Sequence, residues 1–393
     1  MSVENSSLRP GADARVSLWT IAREWTRLGC TGFGGPPTHI ALLRRMCVEE
    51  RGWIEAKEFE DGIAATNLLP GPASTQLAIF CAWRLRGVSG AVLGGVCFIV
   101  PGLVLILFLS AVFLARHPAA WILGAAAGAG AAVPAVALNA AGGLIPASWK
   151  RIGSERAQRV RWVAYALLGS VAAAAIGPYL VLVLLACGVT EIVVRRAASS
   201  SAVGLVFARL AGHAAPLGGL ATLAWVAFKV GALSYGGGFV IVPLMQHDAV
   251  TTYHWMTGAQ FLNAVALGQV TPGPVVQTVA VVGYAAHGIG GGLFAALIAF
   301  APSFFLVLLG GPRFDQIRAN VAVRSFLTGA SAAVIGAIAG SAIPLGLALQ
   351  RWWQVPVLAA ALLWLFVARR GVVSGLLIAG GVGIVLALSG VLV

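Results

Sequence analysis

Between residues 88 and 115 the chain carries no charged side chain, and the same holds from 371 to 393. Runs of more than about 18 apolar residues mark helices able to span a bilayer. In hydrocarbon every backbone N–H and C=O must find a partner inside the protein, which leaves helices or closed barrels. These runs are continuous and do not alternate, which argues against a β-barrel. The composition agrees: 59% of residues are hydrophobic and 10% charged, with a mean hydropathy of +0.91. An all-α polytopic membrane protein is expected. The formal net charge of +13 reads as loop Arg and Lys facing an anionic cytoplasmic leaflet of the lipid bilayer, not as a nucleic-acid surface.

The first half of the chain foretells the second. Adding 202 to the numbers of Arg27, Gly29, Gly34 and Gly35 gives Lys229, Gly231, Gly236 and Gly237. The same offset carries Trp53 onto Trp255 and Pro70-Gly71-Pro72 onto Pro272-Gly273-Pro274. Past Gly87 the offset falls to 201, and Pro101 meets Pro302. A duplicated unit is therefore expected. Its parts are a polar tail at 1–17, an N-terminal repeat at 18–195, a linker at 196–217 and a C-terminal repeat at 218–393. The tail shows no signal-peptide pattern.

Basic residues orient the two copies. The loop 44–57 holds four Arg or Lys, and its counterpart 246–259 holds none. If each Pro-Gly-Pro marks the tip of a re-entrant helical hairpin, 19 Arg/Lys fall on the cytoplasmic side and four outside. If the hairpins are instead read as single spans, that asymmetry disappears. Five crossings then separate the copies, which makes them inverted-topology repeats. Each begins with a broken first helix (18–43 and 218–246), followed by a hairpin (59–86 and 259–286) and further spans.

Broken backbone at membrane depth is tolerated only where it is buried or lines a polar cavity. Pro36 and Pro72 suit the first position of a helix, where a missing N–H costs nothing. Helix N-termini that follow such breaks favour anions. Arg27 and Lys229 add a matched cation in each copy, and a cation in a membrane segment is a functional candidate. Glu24, beside Arg27, has only Val226 opposite. The expectation is that Arg27 and Lys229 approach a pseudo-two-fold axis and share one small, divalent anion. Asn67 with Gln269, and Thr75 with Gln277, flank the hairpin tips as uncharged hydrogen-bonding candidates. His39 is unmatched and could bind anion or relay a proton, or be structural. Carboxylates in membrane segments look nearly absent, which disfavours a cation path. No HExxH, Walker A, CxxC or triad-bearing GxSxG motif occurs, so neither an enzyme nor a cofactor or metal site is expected.

The segments FGGPPTH (33–39), YGGGFVIVPL (235–244) and the two PGP tips resemble those of the chromate ion transporter family, in its long two-domain form. The resemblance covers nearly the whole chain. It implies gradient-driven export of chromate across a bacterial cytoplasmic (inner) membrane, with sulfate as competitor or counter-substrate. Residues matching the family's motifs are Gly34, Gly35, Pro36, His39, Pro70, Gly71 and Pro72. In the second half they are Gly236, Gly237, Pro272, Gly273 and Pro274, with Gly238 standing where the first copy has Pro36. A passive anion channel of the same fold is the alternative. Gly-rich helix faces are suited to pairing two copies as a homodimer.

Overall fold

The computed structural model describes residues 16–67, 69–115, 118–176, 180–197, 219–234, 239–310 and 320–390. The tail 1–17 and the linker 196–217 lie almost wholly outside them. Regular structure in the described residues is helical throughout. Among the described residues, four helices are long and apolar enough to cross a membrane: Ala73–Phe113, Ala120–Arg151, Val275–Gly310 and Val321–Leu347.

Helix α1 (Leu18–Thr31) starts where Ser17 Oγ accepts the Thr20 N–H at 3.1 Å. It stops at Gly32–Gly35, where φ is +97° at Gly34 and +78° at Gly35. Only glycine adopts that backbone without strain, so the break is written into the sequence. Pro36 then opens α2 (Pro36–Arg44), which widens into a turn of π-helix at Arg45–Glu50. α3 (Ala56–Thr66) leads to the first Pro-Gly-Pro, and α4 (Ala73–Phe113) leaves it. Pro36 stands at the first helical position, as expected. Pro72 stands one residue earlier, as the N-cap of α4.

α4 is two helices joined at a sharp reversal, Arg86–Gly87, with φ +62° at the glycine. After it the chain folds back: a Cβ on Gly90 would lie 2.3 Å from Ala82 O. The first arm, 73–85, also lies against α3, where Gly62 faces Phe80. Arg84 pairs with Glu58 across the open end.

The rest comprises α5 (Ala120–Arg151), α6 (Arg156–Val171), α7 (Leu180–Ala197), α8 (Gly219–Leu233) and α9 (Ile241–Gln246). They are followed by α10 (Gly258–Val270), α11 (Thr278–Gly310), α12 (Val321–Leu347), α13 (Gln354–Leu362) and α14 (Val372–Leu388).

Several backbone features occur twice, 201 or 202 residues apart. A second π turn lies at His247–Thr252. Trp53 N–H donates to Cys47 O and Trp255 N–H to Ala249 O. A second reversal lies at His287–Gly288, with φ +63° at Gly288. The tip glycines Gly71 and Gly273 have φ of +119° and +95°. Gly29 packs on Phe98 O and Gly231 on Ala299 O, so small residues let α1 approach α4 as α8 approaches α11. In the centre, α4 packs on α11 and α5 on α12. Among the described residues, Trp25, Phe59, Phe98 and Phe261 are the largest fully buried side chains.

Candidate functional site

The broken first helix and both Pro-Gly-Pro tips come together. Gly273 N–H donates to Gly32 O at 2.9 Å, joining the second tip to the first helix's break. Pro272 O lies where a Cβ on Gly102 would sit, 2.1 Å away, so α4 needs glycine there. On the other side, Gly71 of the first tip faces Ser303 of α11. Gly102 and Ser303 are 201 residues apart, so each tip packs against the same place on the other half's long helix.

A cavity of about 510 Å³ opens beside this junction. Gly34, Gly35 and Pro36 line it, with Asn67 and Gly71 of the first hairpin and Gln269 of the second. Six expected site residues therefore share one wall. The N-termini of α2 and α4 point their positive ends into this region. Pro36 and Pro37 have no N–H, so α2 supplies its dipole but few backbone donors. In α4 the first helical bond is Gln76 N–H to Pro72 O, which leaves the amides of Ala73, Ser74 and Thr75 ahead of it.

Several buried polar atoms at or beside the two tips lack a hydrogen-bond partner, and of their residues only Gln269 lines the cavity; Thr75 and Gln277 do not. They include Thr75 Oγ1, Gln76 Oε1, Gln269 Nε2, Gln277 Oε1 and Ser303 Oγ. Leaving such a group unmatched costs about 1–3 kcal/mol, so each calls for a polar partner such as an ordered water or a bound guest. Thr75 is fully buried. Gln277 Nε2 donates to Ile99 O at 2.7 Å, which fastens the second tip to α4. Gln76 does the same within the first tip, to Pro70 O. Pro70 is exposed, whereas Pro72, Pro272 and Pro274 are buried in the tips. Gly236, Gly237 and Gly238 lie outside the described residues.

His39 is a brace. It is 1% exposed and does not line the cavity. Its Nε2 lies 2.9 Å from Gly32 O, which can only accept, so Nε2 carries the proton. Nδ1 then accepts from Ser74 Oγ at 3.2 Å. The ring stands edge-on to Phe98 at 5.1 Å. Both nitrogens are thus occupied in holding the break against the start of α4, which leaves neither for an anion.

Arg27 and Lys229 do not line the cavity. Lys229 Nζ donates to Asp248 Oδ2 at 2.5 Å and lies 5.8 Å from the Trp225 ring centre. Arg27 is 3.8 Å from Glu24, with its side chain 75% exposed. Arg23 and Arg51 each donate to the same Glu24 at 2.9 Å. Sequence comparison of position 24 with 226 hid the second ion pair, because Lys229 takes its acid from α9's π turn, at the position matching Met46. Two buried carboxylates, Glu24 and Glu191, lie in segments expected to span, and Asp248 lies just past one, in the loop 246–259. Glu24, Glu191 and Asp248 are all buried, and each is ion-paired.

Sequence reading missed the α5 wall. Asn139, Ser148 and Arg151 line the cavity, and Ser331 of α12 faces them. A polar Asn inside an apolar span was the available signal. Arg151 reads as an ordinary loop cation until the fold places it.

A profile described as Chromate transporter matches residues 19–192 and 221–386, most of both halves. The chain belongs to the chromate transporter family. That family is one of membrane transporters, not enzymes. The chromate transport protein of Cupriavidus metallidurans is 33% identical over 338 residues, covering 84% of this chain and 82% of that protein. A chromate transport protein of Pseudomonas aeruginosa is 31% identical over 349 residues (84% and 81%). A probable chromate transport protein of Synechococcus elongatus is 28% identical over 341 residues (84% and 85%). No solved structure matches the chain.

Proposed function

We propose that this protein is a secondary transporter that exports chromate, a tetrahedral divalent oxyanion, from the bacterial cytoplasm, with sulfate as competitor or counter-substrate. It would sit in the inner membrane as a multi-pass protein. The observation that carries this reading is the character of the cavity. Asn67 and Gln269 amides, the α2 and α4 N-termini and Arg151 border it, and among its described lining residues there is no carboxylate. Such a wall suits an anion and offers a cation no counter-charge. At about 30 Å³ per water, the space takes a small oxyanion with part of its hydration shell.

The architecture of the proposal is two inverted repeats, 18–195 and 218–393, each with a re-entrant hairpin. The features repeated at 201–202 residues support it, as does the two-part match of the family profile. The Arg84–Glu58 pair supports the hairpin, since it ties the end of the exit arm to the start of the entry arm.

A second cavity, about 220 Å³, lies at the other end of α5, lined by Ala120, Ala127 and Arg351 among others. Between the two, Ala131–Ala135 of α5 are buried. Separate cavities on either side of a packed layer favour alternating access over an open channel.

Labelled chromate and sulfate offered to everted vesicles test the reading. Concentrative chromate uptake that collapses with the membrane gradient is the expected result. Equilibration to equal concentrations would support the channel, and no uptake of either anion would overturn oxyanion transport.

A further inference from the structure

Arg151 is the one ionisable residue among the described residues that line the larger cavity. It ends α5, is exposed, and has no ion pair among the described residues. From Val136, the deepest α5 residue on the wall, to Arg151 the helix rises ~22 Å at about 1.5 Å per residue. The cavity is therefore a vestibule half a membrane deep, with the helix breaks at its floor and Arg151 at its mouth. One turn in from the mouth, Ser148 Oγ accepts the Trp162 N–H at 2.9 Å, which leaves its own O–H to donate into the cavity. Lys150 precedes it and Arg156, Arg159 and Arg161 follow in the same stretch of chain, the side assigned to the cytoplasm by the positive-inside count.

We propose that Arg151, with Ser148 beside it, is an anion-recruiting station at the cytoplasmic mouth, which concentrates small divalent oxyanions for the deeper site. A single cation in a low-dielectric funnel acts mainly on capture, and its effect is screened by salt. The inference rests on the transport reading for its substrate, but not for its chemistry.

Uptake into everted vesicles of uncharged lipid, which removes competing headgroup phosphates, tests it. Arg151→Gln is expected to raise the KM for chromate about five- to tenfold at low salt, with maximal rate within about twofold of wild type. Its KM loses most of its dependence on ionic strength, and Arg151→Lys stays near wild type. In right-side-out vesicles the same variant has an unchanged KM. A wild-type KM and salt dependence in Arg151→Gln would overturn the proposal. So would an equal change from both faces, or a lysine variant that fails like glutamine. Equilibrium binding of labelled chromate and sulfate to the purified full-length protein separates this inference from the transport reading. Binding that weakens in Arg151→Gln while wild type moves no anion keeps the station and removes the transport. Unaltered binding in Arg151→Gln removes the station whatever the transport result.

Discussion

At the scale of single residues, the two matched cations prove to be a lesson in pairing. Lys229 and Asp248 are both largely buried, with side-chain exposures of 17% and 6%. Removing one partner of such a pair strands the other charge, at about 3–5 kcal/mol. Lys229→Met is therefore expected to lower the amount of folded protein in the membrane several-fold. Lys229→Met combined with Asp248→Leu is expected to recover both the amount and chromate uptake, because neither residue borders the cavity. Immunoblots of membranes alongside vesicle uptake decide this. Recovery of protein without recovery of uptake would return Lys229 to the substrate path. Nothing in the sequence announced Asp248 as the partner: it lies 19 residues away, and its position is set by the π turn.

Helical elements here are joined by glycines of two different kinds, which behave differently on substitution. Gly87 turns α4 back on itself with φ +62° and open space around it. Gly87→Ala is expected to cost about 1–3 kcal/mol, because a ψ of −147° puts this residue in a region that is essentially glycine-only. Gly102 has no such conformational demand, but its missing side chain is where Pro272 O sits. Gly102→Val must push the second tip off α4, since backbone cannot give way as a side chain can. Detergent-purified Gly102→Val is expected to melt several degrees below Gly87→Ala and to lose uptake. Equal melting of the two variants would show that the tip tolerates displacement. The apolar runs and the Gly-Gly-Pro-Pro break located these elements to within a few residues. The Gly102–Pro272 contact was not legible, because it joins residues far apart in sequence.

For the whole molecule the decisive question is whether the two halves face opposite ways. Glu55 and Thr257 occupy matched positions, each the N-cap of the first hairpin helix in its half. In the inverted arrangement a cysteine at 55 is labelled by an impermeant thiol reagent from the cytoplasm, and one at 257 from outside. Each is scored against the parent protein, whose Cys30 is exposed. Labelling of both from one face would make the repeats parallel, with any pseudo-two-fold axis along the membrane normal rather than in its plane, and would overturn the inverted architecture.

The sequence by itself determined the helical membrane class, the positions of the breaks and the 201–202 residue echo. These follow from local causes: apolar run length, glycine's access to positive φ and proline's missing N–H. Asn67, Gly71 and Gln269 were readable as site candidates for the same reason, since each sits beside a break. Only the tertiary structure decided which charges are paired off and which face the cavity. It gave Lys229 to Asp248, Glu24 to its three arginines and His39 to Gly32 and Ser74, and it left Arg151 at the cavity mouth. Ion pairing at membrane depth depends on distance and burial, and neither is set by spacing along the chain.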